Sequence, residues 1–193
     1  MDALQALTTR ASPLQLADPP PDPAALDAML RAAVRAPDHG RLHPWRFVVI
    51  RGAARSKLGD VLAAALKARD PNAAEAALAK ERAKPLRAPL IVVVGARFRE
   101  HKNVPEIEQI ISAGAAAQNI LVAAHAQGFG GFWRTGPAAY DNQVKTALGL
   151  DAQDSIVGFL YLGTPAVAAP LVAPPDLAEI VTEWNGPVHQ PHS

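Results

Sequence analysis

The sequence predicts an α/β or α+β sandwich, with helices covering a mixed β-sheet. Three observations point there. Residues 89–95, Pro-Leu-Ile-Val-Val-Val-Gly, form a continuous β-branched run bounded by proline and glycine, the composition of a buried strand. Residues 45–50 and 156–162 are two further short apolar runs, again with the look of interior strands. Stretches long enough for helices separate the three, and strands alternating with helices fold into layers around one core.

Taken in order, Asp2 is placed to cap a first short helix, with Leu4 and Leu7 facing inward. That helix ends near residues 9–12, ahead of Pro13. The proline run at 19–23 is a rigid linker. Asp22 caps a second helix with Pro23 at its first position, and Leu26, Met29, Leu30 and Ala33 give it an apolar face. It stops in residues 35–40, a loop by composition. Pro44 opens the strand at 45–50, apolar on both faces. Helices at 53–67 and 73–84 are interrupted by charges and read as peripheral.

A loop at 101–104 leads into the stretch that dominates the chain, residues 106–136. Its first two thirds mix Ile107, Ile110, Ile111, Ile120, Leu121 and Val122 with many alanines, and a helix apolar on every side is a buried one. Pro105 suits its start, and Gly128 suits the left-handed residue beyond its end. Gly128, Gly130 and Gly131 then crowd together before Trp133-Arg134-Thr135-Gly136. Glycines let a backbone approach a ligand closely, and an aromatic beside a guanidinium suits a planar anion. Residues 130–133 read as a brief strand, 141–148 as a short surface helix, and the strand at 156–162 stops at Gly163-Thr164-Pro165. The tail, 166–193, is proline-rich and extended. Leu171, Val172, Leu177, Ile180, Val181 and Trp184 make it too apolar to lie in water, so it is expected to pack on the body or on a partner subunit. The whole chain, 1–193, reads as one domain.

Composition narrows the function. A length of 193 residues with 49% hydrophobic and 19% charged residues is ordinary globular material. A formal net charge of +1 exerts no general pull on nucleic acid or anionic membrane. Cysteine is absent, which excludes disulfides, thiolate catalysis, iron–sulfur clusters and cysteine-ligated zinc. The first residues lack a basic segment followed by an apolar run, and the apolar stretch of 110–124 holds Gln118 and Asn119 and is short for a membrane span. A soluble, cytoplasmic protein is the expectation.

Several site chemistries find no support. Gly128-Phe129-Gly130-Gly131 follows a helix and misplaces the third glycine of a dinucleotide fingerprint. No lysine-bearing phosphate loop and no zinc-protease histidine pair occurs. His39 and His43 are four apart but have Gly40 between them and Pro44 behind, so no shared helix face and no metal site is expected. Ser12, Ser112 and Ser155 lack the strand–elbow–helix setting of a hydrolase nucleophile. Arg10 and Ser12 flank a helix end, where a guanidinium and a hydroxyl two apart can both reach a phosphate. On composition alone a surface arginine and a turn serine is the simpler reading, and the same holds for Arg35 and His39 around Pro37-Asp38. Glu108, Ser112 and Asn119 fall within about 40° on the long helix. A polar stripe there must be satisfied internally or face a site or partner, and internal satisfaction is the simpler reading.

Five segments in one order, spanning residues 1–165, give the chain a specific likeness: MDALQALTTRAS, LRAAVRAPDHGRLHPWRFVVI, RAPLIVVVGA, SAGAAAQNILVAAHAQGFGGFWRTG and IVGFLYLGTP. Together they resemble the nitroreductase family of flavin-dependent NAD(P)H oxidoreductases, in its compact branch. The resemblance implies an α+β three-layer sandwich and an intertwined homodimer with FMN in clefts at the subunit interface. It matches Arg10, Ala11 and Ser12 to the N-terminal flavin segment. Arg35 and His39 match positions reaching the flavin from the other subunit, and Trp133, Arg134 and Thr135 match the segment beside the isoalloxazine ring. Ala123, Ala124, His125, Ala126, Gln127 and Gly128 match the stretch near the nicotinamide. Ala11 departs from the larger polar residue of many relatives, and His43 stands where many have glutamine. The implied reaction passes hydride from NADH or NADPH through FMN to a nitroaromatic, quinone or similar acceptor by a ping-pong cycle, with no catalytic acid or base side chain. Oxidation or reduction of one specific metabolite, or flavin binding without turnover, are the alternatives it leaves.

Overall fold

The structure is a computed structural model that describes residues 1–169 and 173–186. Aspartates start the first two helices as the sequence suggests. Asp2 accepts from the Gln5 amide to begin α1 (Ala3–Thr9), and Asp22 accepts from the Ala25 amide to begin α2 (Pro23–Ala33), with Pro23 in its first turn. The remaining elements are β1 (Leu16–Ala17), β2 (Trp45–Arg51), α3 (Ala54–Arg69), α4 (Glu75–Ala83), β3 (Leu90–Ala96), α5 (Glu106–Ala126), β4 (Gly130–Arg134), α6 (Asn142–Ala147) and β5 (Ser155–Pro165). Beyond α5 the chain turns at Gly128, whose φ of 84° is open to glycine at little cost.

The strand order is β1-β5-β3-β2, with β4 also paired to β5, and every pairing is antiparallel. The mixed sheet expected from sequence is thereby corrected. β5, eleven residues long, runs opposite to β3, β4 and β1 alike. β3 is the centre and all seven of its residues are buried. Its alternating side chains divide the core. Leu90, Val92 and Val94 join Leu160 and Leu162 against α2 and α5. Ile91 and Val93 join Phe159 and Tyr161 against α3 and α6. Three layers result, and truncating a fully buried residue such as Ile120 to alanine would cost about 2–5 kcal/mol.

Four sequence expectations change. β2 is an edge strand, paired to β3 alone and mostly half-buried, with Arg46 and Arg51 exposed. α3 is not peripheral: Leu58, Leu62 and Ala65 cover one face of the sheet, while the charges that obscured this lie on its outer side. On α1, Leu4 and Leu7 are exposed and only Ala6 is buried, because the helix meets α5 through its small face. α5 is buried through Ala113, Ala116, Ala117, Ile120 and Ala124, yet Ile107 and Ile111 lie open on its other side. In the tail, residues 173–185 are all exposed, Leu177, Ile180, Val181 and Trp184 included. Leu171 and Val172 lie outside the described residues.

Candidate functional site

The site gathers around β4. Its glycines serve packing more than ligand approach. A Cβ on Gly130 would lie 2.6 Å from both Leu16 Cδ2 and Pro13 Cγ, and one on Gly131 would lie 2.5 Å from Leu121 Cδ2. Gly136 differs: its φ is 110° and a Cβ there would meet nothing within 4 Å. The exposed backbone is therefore at the end of the strand, beside Thr135.

Trp133 is held by the sheet beneath it. The register of β3 and β5 shifts between Val94 and Gly95, which leaves Val157 as an extra residue in β5, a β-bulge. The Trp133 indole donates from Nε1 to the Val157 carbonyl at 3.2 Å. It lies where a Cβ of Gly158 would be, 2.1 Å from Nε1. Phe132 and Arg134 alternate to the opposite face. The Arg134 guanidinium sits 4.1 Å over the Phe132 ring and 5.8 Å from that of Tyr161, a cation–π arrangement that fixes its direction.

On this face two cavities meet. One, of about 430 Å³, is lined by Trp133 through Ala138 together with Lys84, Arg87 and Tyr161. The other, of about 390 Å³, runs along Pro13–Ala17 and shares Arg87, Phe132, Arg134 and Tyr161 with the first. The shared walls make one trough from the N-terminal segment to Gly136. Arg69 is neutralised by Asp141 and Lys84 by Glu81. Arg87 and Arg134 have no ion-pair or hydrogen-bond partner among the described residues. Burial pushes the Tyr161 hydroxyl above its ordinary pKa, Arg134 and Arg87 pull it back, and Glu81 adds to the rise. The phenol thus stays protonated at neutral pH and can donate into the trough.

Arg10 and Ala11 line a smaller cavity, about 190 Å³, with Thr9, Leu121, His125, Phe129 and Gly130. Pro13 forms part of both this cavity and the trough, and half-buried Ser12 lies between. Thr9 Oγ1 gives its one proton to the Gln5 carbonyl at 2.6 Å, so its 2.9 Å contact with His125 has Nε2–H of the histidine as donor. Of the nicotinamide candidates, Ala126, Gln127 and Gly128 are exposed, Ala123 and His125 are half-buried, and Ala124 presents no surface.

Arg35 and His39 lie elsewhere. Their segment is tied to α5: the Asn119 amide donates to the Ala32 carbonyl at 3.0 Å, and Ser112 donates to the Pro37 carbonyl at 2.6 Å while accepting from Trp45 Nε1 at 2.9 Å. His39 Nδ1 is 2.6 Å from Glu108 Oε2. The polar stripe on α5 is thus satisfied within the chain. Glu108 and His125 are 17 residues apart on one helix, about 25 Å by helical rise. One chain therefore brings Arg10 and Ser12 near the trough and keeps His39 far from it, while Arg35 lines none of these cavities. Sequence reasoning missed Lys84, Arg87 and Tyr161. The signals were present: Arg87 stands just before the strand-opening Ala88-Pro89, and Tyr161 is the one hydroxyl in the apolar run 156–162.

An antiparallel sheet layered between helices, with a basic, aromatic-walled trough along one strand, defines an α+β protein. The nitroreductase family model matches residues 7–164. The Escherichia coli (strain K12) protein named "Putative NAD(P)H nitroreductase YdjA" is 44% identical over 183 residues, covering 94% of this chain and 99% of its own length. The chain belongs to the nitroreductase family, FMN-binding NAD(P)H oxidoreductases. Among solved structures, a nitroreductase-like family protein from Bacillus cereus superposes with a TM-score of 0.81 at 23% identity, covering 96% of this chain and 97% of its own. One from Desulfovibrio desulfuricans, solved in complex with FMN, gives a TM-score of 0.69 at 29% identity, over 97% and 99%.

Proposed function

We propose that this protein is an FMN-dependent oxidoreductase that moves hydride from NADH or NADPH to a small oxidising substrate, a nitroaromatic, a quinone or a similar compound, in a ping-pong cycle. The observation that carries the reading is the trough, with two unpaired guanidiniums on its wall and open backbone at Gly136. Its residues fit the cofactor. Arg10 and Ser12 would hold the phosphate, where charge-assisted bonds are strong. Arg134 and Arg87 would lie against the ring or ribityl chain, and the Thr135–Gly136 amides would donate to the ring edge. Tyr161 offers a protonated hydroxyl. When bound, FMN supplies the hydride chemistry, so the chain needs to bind, orient and exclude water rather than provide an acid or base.

The homodimer belongs to this proposal. Ile107, Ile111, Gly114, Ala115, Gln118 and Val122 make an open or half-open stripe along α5, at the i, i+4, i+7 spacing of a helix contact face. A two-fold axis crossing the stripe at its middle, by Gly114 and Ala115, pairs two copies of α5 antiparallel. Glu108, with His39 beside it, then stands level with Leu121 of the partner subunit, a residue that lines the Arg10 cavity. The two half-sites that one chain holds about 25 Å apart are joined across the pair. The exposed apolar tail side chains, Leu177 to Trp184, find cover on the partner in the same assembly.

Purification tests the reading. The expected protein is yellow and dimeric, and NADH or NADPH bleaches it without oxygen. Addition of an acceptor panel then restores the colour. A colourless protein that takes up no FMN rejects the proposal, and a yellow one that neither nicotinamide reduces is a binding protein without turnover.

A further inference from the structure

We infer that Glu108 is a positioning residue, which fixes the tautomer and direction of His39 before the partner subunit's flavin site forms around it. The inference rests on the proposed two-chain flavin site and goes beyond it by assigning a residue that touches no ligand.

The loop before β2 is held in a costly shape. Gly40, Arg41 and His43 have φ of 74°, 53° and 48°, the left-handed region. For the two non-glycine residues it costs roughly 1–2 kcal/mol each. Such strain persists only where surrounding bonds over-determine it. Those bonds are present. Asp38 accepts from the amides of Leu42 at 3.1 Å and His43 at 2.9 Å. Val104 closes the back of Gly40, where a Cβ would lie 3.1 Å from Cγ2. Ser112 and Asn119 hold the Pro37 and Ala32 carbonyls, both ahead of the loop. A connection needing only to link α2 to β2 has no use for this; one presenting a side chain at a set angle does.

The presented side chain is His39. Its side chain is 58% exposed, and its one polar partner among the described residues is Glu108. A carboxylate only accepts, so Nδ1 carries the proton and Nε2 points away, free for a second partner. Without Glu108 either nitrogen could take the proton and the ring could rotate. With it, the loop is set by backbone strain and the ring by one charge-assisted bond, both on residues remote from their own chain's trough. Carboxylates orient metal-binding histidines in the same way.

A double-mutant cycle on the intact protein tests this, reading FMN dissociation constants by flavin fluorescence, with dimer content by sedimentation and Tm as controls. His39→Ala is expected to weaken FMN about tenfold, and Glu108→Ala about three- to fivefold. The double variant should be no worse than His39→Ala alone, because contacting residues in one network do not add. Glu108→Gln keeps an accepting oxygen and should recover most of the loss. Additive losses, or a Glu108→Gln variant as weak as Glu108→Ala, overturn the positioning role and leave the flavin site standing. Unchanged affinity in His39→Ala instead rejects His39 as a flavin residue, and the role of Glu108 with it. Should Glu108→Ala lower Tm or dimer content, the cycle is read from Glu108→Gln and His39→Ala.

Discussion

Gly158→Ala is the sharpest test of how the sheet shapes the site. The added Cβ would sit 2.1, 2.7 and 2.9 Å from Nε1, Cδ1 and Cε2 of Trp133, and the indole must leave. Overpacking a tight position costs about 1–3 kcal/mol. The indole also loses its 3.2 Å bond to the Val157 carbonyl, worth about 0.5–1.5 kcal/mol. The two together suggest about 2–4 kcal/mol, or a Tm lowered by roughly 5–15 °C for a chain of this size. Thermal unfolding of the apoprotein by circular dichroism reads this directly. The decisive comparison is Trp133→Ala. With the ring gone, Gly158→Ala should become nearly neutral, a coupling of about 2–4 kcal/mol between the positions. A Gly158→Ala protein melting within about 2 °C of the parent would refute the argument, as would an undiminished penalty in the Trp133→Ala background. Gly131→Ala, whose new Cβ meets the side-chain tips of Leu121 at 2.5 Å and Leu162 at 3.2 Å, should be milder because those methyls can turn aside.

Arg10→Ala should weaken FMN more than tenfold, as loss of a charged phosphate contact would; equilibrium dialysis showing unchanged affinity rejects the phosphate role. Ile111→Asp puts a charge on the α5 stripe and is expected to yield monomers that have also lost the flavin, seen by sedimentation at flavin and protein wavelengths together. Monomers that keep stoichiometric FMN would count against a shared site. Burial raises the Tyr161 hydroxyl above its ordinary pKa of 10.0 in the folded state, so its protonated form favours the fold. That contribution is complete below pH 10 and is lost as pH rises through the folded value. Denaturant titrations from pH 9 upward should show stability falling in the parent and falling less in Tyr161→Phe; parallel curves would dispose of the assignment.

Where local chemistry decides, the sequence was readable. Asp2, Asp22, Pro23 and Gly128 mark helix ends through bonds and dihedrals that involve only near neighbours. The unbroken run at 89–95 is the central strand because no charge interrupts it. Where two distant segments decide, it was not. Nothing in residues 45–50 tells an edge strand from an interior one, since that depends on whether a second neighbour arrives. Gly130 and Gly131 invited a ligand reading, but their space is taken by Pro13, Leu16 and Leu121. The site divides in the same way. Arg10, Ala11 and Trp133–Thr135 were named through family resemblance, and line the trough and the cavity beside it. Lys84, Arg87 and Tyr161 reach it only because the turn before β3 and one face of β5 come to lie beside β4.

The span of α5 has a practical consequence. In the proposed dimer, with Arg10 and Ser12 toward one end and the His39 loop toward the other, retention of the cofactor would be tied to how much protein is in solution. Dilution that separates subunits would shed pigment too, and colour per chain would report assembly as faithfully as any sizing column.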